Sequence, residues 1–177
     1  MTATEAYNLT THGGAKDFAT LVALVDSFGP WCLIGGLAVN CYVEPVYTLD
    51  AELVVIATDL CNVSERLRKE GFKIESHPCS VNAEAPESDL RIQFTTDPRC
   101  QDFPARACPG IVLGVPVRVA TLEDVTQGKL WAYTDRLRRF NKRKKDELDL
   151  VRLAEAHPRL KSLYPGELRD MIDHGQG

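Results

Sequence analysis

Asp50 and Glu52 stand one residue apart in "YTLDAELVVIATD" (47–59), at the head of an otherwise apolar run. Alternate side chains of a strand share a face, so the two carboxylates point the same way. Burying unpaired carboxylates is costly, so they stay in water or meet positive charge. Two of them held in parallel form a ready seat for Mg²⁺, which takes oxygen ligands and shares them with substrate phosphates. A bound cation would also offset their mutual repulsion. An edge strand with two solvated acids has the same pattern, and the pair alone leaves both readings open.

Other residues bear on the choice. Gly35-Gly36 follows the short apolar run Trp31–Ile34 and precedes a helical pattern. Glycine there lets backbone N–H groups approach a phosphate, although a plain tight turn would also use it. Thirteen residues lie between Gly36 and Asp50, room for a short helix and a return strand. Further on, Leu122, Val125, Lys129 and Ala132 fall on one helical face. Lys129 is the cation of that stripe, and it either snorkels to solvent or points inward toward an anion. Arg138–Lys145 holds six basic residues, a solvated junction or a local patch suited to phosphates. Asp146 and Asp149 share a face of the next helix, where they either anchor Lys or Arg side chains near the cleft, the favoured role, or belong to the site itself. His77-x-Cys79 does not have the spacing of a closed zinc knuckle.

The elements that must position these groups can be read from periodicity and punctuation. A helix is expected from Lys16 to Phe28, a buried strand over Trp31–Ile34, a short helix in "LAVNCYV", and the acid-bearing strand after it. "DLCNVSERLRKEGF" reads as a helix ending at Gly71. "FKIES", "DLRIQFTT" and "VPVRVA" read as strands, and the segment 97–110, with three prolines, as a surface loop. Two helices follow, from Thr121 to about Phe140 and from about Lys144 to Ala156, the first opened by an approximate Thr121/Asp124 capping box. Pro158 stops the second, and a short helical piece follows Pro165-Gly166. The fold class is α/β (α+β): a mixed sheet flanked by helices over 1–120, with a C-terminal helical part, 121–177, packed on it as one compact unit.

With 177 residues, 44% hydrophobic and 26% charged, the chain has the composition of a globular domain. Its net charge of −4 gives no global attraction to polyanions, so any such site must be local. No apolar run approaches a bilayer span, and the opening "MTATEAYNLTTHGG" lacks the pattern of a signal peptide. Cys32, Cys41, Cys61, Cys79, Cys100 and Cys108 form no C-x-x-C pair and read as reduced thiols of a cytoplasmic protein.

"LIGGLAVNCYVEPVYTLDAELVV" resembles the signature of the nucleotidyltransferase superfamily with the polymerase-β-like fold. "VPVRVATLEDVTQGKLWAYTDRLRRFNKRKKDELDLVRLAE" is similar to the C-terminal part of its AbiEii-type toxin members and their uncharacterised relatives. The resemblance implies a nucleotidyltransferase-like mixed sheet and transfer of a nucleoside monophosphate from an NTP, with Mg²⁺, to an acceptor that could be RNA, protein or a small molecule. It implies that Asp50 and Glu52 hold the metal, that Gly35 and Gly36 contact the nucleotide, and that Lys129 reaches the triphosphate. A toxin-like role with an antitoxin-like protein partner comes with the same likeness. Glu52 stands where Asp is frequent. Members often carry a third catalytic acid on a following strand, and Asp89 is the expected one here, with Asp97 the other acid in reach. If Gln93 occupies that place instead, the base is missing, and the alternative is a catalytically degenerate fold that binds a nucleotide or a protein partner.

Overall fold

The computed structural model describes residues 2–78 and 80–175. Helix α1 (Ala3–Thr10) opens with a capping box: the Thr2 side chain accepts from the Glu5 N–H at 3.2 Å, and the Thr2 N–H donates to Glu5 Oε2 at 2.6 Å. Helix α2 (Gly14–Val25) follows, then β1 (Trp31–Ile34), the single-turn α3 (Gly35–Val39) and β2 (Asp50–Val55). Next come α4 (Leu60–Lys69), β3 (Lys73–His77), β4 (Ser80–Glu84), β5 (Arg91–Thr95), α5 (Phe103–Arg106), β6 (Cys108–Val112) and β7 (Val115–Val119). The chain continues through α6 (Leu122–Thr134), α7 (Phe140–Ala156) and α8 (Gly166–Gly175).

The strands form one seven-stranded mixed sheet in the order β3-β4-β5-β2-β1-β7-β6. β2 lies at its middle, antiparallel to β1 and parallel to β5, while β7 runs parallel to β1. The central position explains the apolar run after Glu52: Leu53, Val54 and Val55 are all buried, as is Ala51. Phe18 and Leu21 of α2 and Leu67 of α4 are buried in the same core. Asp50 and Glu52 share the other parity of β2, and the side chains of α6 and α7 close over that face.

Three sequence expectations are corrected. The segment 97–110 is not a continuous loop: it holds a 3₁₀ turn at Pro98–Cys100, α5, and the start of β6. Pro109 is tolerated because β6 is the sheet's edge, where a missing N–H breaks no ladder. The first C-terminal helix ends at Thr134, well before Phe140. Asp135 stops it by turning its carboxylate to the Leu137 N–H at 2.9 Å, an alternative partner for the backbone. The capping box at Thr121 is half made. Thr121 Oγ1 accepts from the Asp124 N–H at 3.1 Å, but the Asp124 carboxylate turns to Arg106, at 2.8 and 3.1 Å. Thr121→Ala is therefore expected to lower stability by about 1 kcal/mol, the usual loss for one capping oxygen, read from urea unfolding.

Candidate active site

The site is built where β1 passes into α3. Ile34 is paired with Glu52 across the β1–β2 ladder, so Gly35 falls directly beside the Glu52 side chain. Gly35 has φ +69°, and a Cβ there would lie 2.6 Å from Glu52 Cδ and 2.8 Å from its Oε1. Only glycine combines that backbone with that approach. Gly36 is roomier, its virtual Cβ 3.4 Å from Thr48 Oγ1.

Two cavities meet at Glu52. The smaller, about 180 Å³, is lined by both Asp50 and Glu52, by Gly36, and by the cations Lys129, Arg138, Lys142, Lys145 and Arg152. The larger, about 530 Å³, has Gly35, Glu52, Gln93 and Lys129 on its walls, with Phe103 and Trp131 as its aromatic side. The couplet and the double glycine thus line two neighbouring hollows that share Glu52, Lys129 and Arg138. Lys142 Nζ lies 3.2 Å from Asp50 Oδ2, and the Asp50 N–H donates to Thr48 Oγ1 at 3.3 Å.

Lys129 points inward and is 7% exposed. Its ammonium lies 3.0 Å from Asp146 Oδ1 and 2.8 Å from Asp149 Oδ2. Each of those acids has a second cation: Arg138 Nε is 2.6 Å from Asp146, and Arg152 Nη1 is 2.7 Å from Asp149. Burial alone would pull the Lys129 pKa down; the carboxylates of Glu52, Asp149 and Asp146 outweigh it and hold the group above its ordinary range. Asp146 and Asp149 therefore anchor cations beside the cleft. Lys142 and Lys145 enter from sequence only as members of the basic run 138–145, and Arg152 lies outside it. A signal existed: Lys142, Lys145, Asp149 and Arg152 recur at i, i+3, i+7 and i+10, one helical face.

The structure does not bring Asp89 to the couplet. Its carboxylate meets His12 Nδ1 at 2.6 Å, is 61% exposed, and lines neither cavity. The register explains this, because Asp50 pairs with Arg91 and Glu52 with Gln93, leaving Asp89 beyond the end of the ladder. Gln93 is the residue beside Glu52. Asp97 does reach the larger cavity, but Arg99 clasps it at 2.6, 3.0 and 3.1 Å. That guanidinium, stacked 4.5 Å from the Trp131 ring centroid, holds the Asp97 carboxyl below its ordinary range. Among the described residues no group of three or more His, Cys, Asp or Glu is arranged to hold a metal ion, and Cys79 of the H-x-C pair lies outside them. Cys100, on the larger cavity, is no ready nucleophile: burial and the nearby Asp97 push its thiol up to about 11.

No helix of the described residues is long and apolar enough to cross a membrane. No protein-family model matches the sequence, and no curated protein matches it. Solved structures do share its fold. The crystal structure of ANT(2″)-Ia in complex with adenylyl-2″-tobramycin superposes with a TM-score of 0.65 over 93% of this chain and 99% of that one, at 16% identity. The lincosamide antibiotic adenylyltransferase LnuA, lincomycin-bound, gives 0.55 over 80% and 96%, at 14% identity. An antigenic nucleotidyltransferase-like protein from Paracoccidioides brasiliensis gives 0.56 over 80% and 75%, at 16% identity. The chain shares its fold with these adenylyltransferase and nucleotidyltransferase-like structures.

Proposed function

We propose that this protein transfers a nucleoside monophosphate from an NTP to an acceptor. The observation that carries the reading is the position of Glu52, shared by a small cation-lined cavity and a larger one with an aromatic wall. A triphosphate suits the first, where Lys142, Lys145 and Arg138 meet its charge. The acceptor suits the second. An acceptor oxygen attacks the α-phosphorus, the α–β phosphoanhydride P–O bond breaks, and pyrophosphate leaves on the side of the cations.

Asp50 and Glu52 line one cavity together, and Mg²⁺ is commonly held by one or two carboxylates with phosphates and water completing its shell, so the pair fits that ion. When bound, Mg²⁺ would neutralise charge on the phosphates between these two side chains. The chain's own contribution is positioning. Gly35 admits the Glu52 carboxylate, Thr48 Oγ1 accepts from the Asp50 N–H, and Lys142 exchanges Asp50 for a phosphate oxygen. Gln93, beside Glu52, can donate a hydrogen bond to the acceptor but cannot take its proton, which would leave to solvent.

That amide, with Lys142 already on Asp50, favours a second reading: a nucleotide-binding protein of this fold that does not transfer. One experiment separates the two. The protein is incubated with each α-³²P-labelled NTP, Mg²⁺ and cell extract, alongside Asp50→Ala, and NTP binding is measured by calorimetry. Because two of the structural neighbours are antibiotic adenylyltransferases, hydroxylated antibiotics belong in the acceptor panel. Label in an acceptor with wild type and none with Asp50→Ala is the expected result. Equal labelling removes the transfer reading, and NTP binding without label selects the second.

A further inference from the structure

The corner between α6 and α7 has features that neither cavity uses. Seven of the 21 Lys and Arg residues lie within 136–145, and no acid lies among them, in a chain whose net charge is −4. Three are compensated: Arg138 by Asp146, Lys142 by Asp50, and Lys144 by Glu147. Arg136, Arg139, Arg143 and Lys145 make no ion pair among the described residues. Uncompensated like charge at one corner is self-repulsive and attracts a polyanion. Between these cations stand two exposed apolar side chains, Leu137 at 95% and Phe140 at 72%, with Lys144 Nζ 5.8 Å from the Phe140 ring centroid. The corner also forms the rim of the site: Arg138 lines both cavities, Lys142 and Lys145 the smaller, and Asp135 the larger.

We propose that this corner docks single-stranded nucleic acid and presents its terminal hydroxyl to the cavities as the nucleotidyl acceptor. The chemistry favours that partner. Cations that track a backbone beside an exposed aromatic ring on which bases stack are how unpaired strands are held without sequence readout. A duplex keeps its bases stacked on one another and offers Phe140 nothing to cover. A bilayer would require an apolar face, whereas Leu137 sits in a turn and Phe140 at the first residue of α7, with Arg138 and Arg139 between them. In the transfer step the terminal oxygen forms a bond to the α-phosphorus of the NTP. The α–β P–O bond breaks, pyrophosphate departs, and the hydroxyl proton passes to water. The acceptor role rests on the transfer reading of the preceding section; the docking does not.

The test is fluorescence anisotropy with labelled unpaired RNA and DNA of about ten nucleotides, within the site sizes common for such surfaces. The matching duplex and anionic phosphatidylserine vesicles are the comparison arms. Wild type is expected to bind the unpaired strands in preference to the duplex, and the RNA and DNA arms show which sugar is preferred. Phe140→Ala should weaken binding by roughly 5- to 100-fold, the range for loss of one stacked base, while Phe140→Trp retains it. Arg136→Ser/Arg139→Ser should make the slope of log affinity against log salt shallower by about 1.4, at roughly 0.7 per phosphate contact. None of these three residues lines a cavity, so calorimetric NTP binding should be unchanged in each variant. Absence of strand binding at low salt, equal binding by Phe140→Ala, preference for duplex, or binding to vesicles alone would each overturn the proposal. Strand binding that survives while Asp50→Ala labels acceptors as wild type does would remove the transfer reading and leave the docking surface standing.

Discussion

Lys129→Met is expected to lower the stability of the fold by about 3–5 kcal/mol, the usual loss when one partner of a buried ion pair is removed. For a chain of this size that corresponds to a fall in Tm of roughly 10 °C. Among the described residues Lys129 is the only cation that touches both Asp146 and Asp149, and it ties α6 to α7 within the influence of the Glu52 carboxylate. Without it, Asp146 keeps Arg138 and Asp149 keeps Arg152, but the two carboxylates and Glu52 are left facing one another across a methionine. The control is the double variant Lys129→Met/Asp149→Leu, which removes charge of both signs. It should be less destabilised than the single variant, because one of the two carboxylates that Lys129 met leaves with it, while Arg152 keeps Asn40 Oδ1 and the Glu44 carbonyl as acceptors. A single variant within about 1 kcal/mol of wild type in urea unfolding would mean that the pairing does not hold these helices together.

The pH dependence of that contribution has a definite sign. The folded-state pKa of Lys129 lies above its unfolded value, because the carboxylates outweigh the burial that would lower it. Its contribution is complete below the unfolded lysine value of about 10.4 and is lost only as pH rises through the higher folded value. Stability from this residue is therefore flat through the neutral range and declines in strong alkali. The same pairing bears on its role toward a triphosphate. An ammonium already met by two carboxylates is less free to meet a phosphate than Lys145, so in the proposed reaction Lys129 would act chiefly by fixing α7 and balancing Glu52.

What was legible in the sequence follows from how far apart the interacting residues lie. The β1–Gly-Gly–β2 unit is local: an apolar run, a glycine pair and alternating acids announce their own geometry. Asp146 and Asp149 as anchors came from helical spacing alone. The third acid depended on the β2–β5 register, which no local pattern specifies, and a shift of two residues along β5 separates Gln93 from Arg91 as the neighbour of Glu52. β4 was missed because "SVNAE" is poor in strand formers; it forms because β3 and β5 pair with it on either side. The early end of α6 turned on one side-chain hydrogen bond from the Leu137 N–H to Asp135, and a periodicity count does not see such a bond.

Gly35→Ala should separate the site's architecture from its chemistry, and its partner Gly36→Ala makes the comparison sharp. At position 35 an alanine must adopt φ +69°, which costs an L-residue about 1–2 kcal/mol, and must place its methyl 2.6–2.9 Å from three atoms of Glu52. Two of those atoms, Cδ and Oε1, can swing away with the side chain; the third, Glu52 Cβ, is fixed to a central strand paired on both sides. The methyl therefore cannot be accommodated by a rotamer change alone, and the β1–α3 junction must move. The expected loss of stability is about 3 kcal/mol, at the upper end for a single substitution because strain and overpacking add. The protein that remains folded should transfer no nucleotide even at saturating NTP, since Glu52 is displaced from the wall the two cavities share. Gly36→Ala meets only Thr48 at 3.4 Å, needs no left-handed backbone, and should stay within about 1 kcal/mol of wild type while retaining transfer. If the two alanine variants melt and transfer alike, the close seating of Glu52 on Gly35 is not what organises the site, and the couplet's position would have to be set by β2 alone.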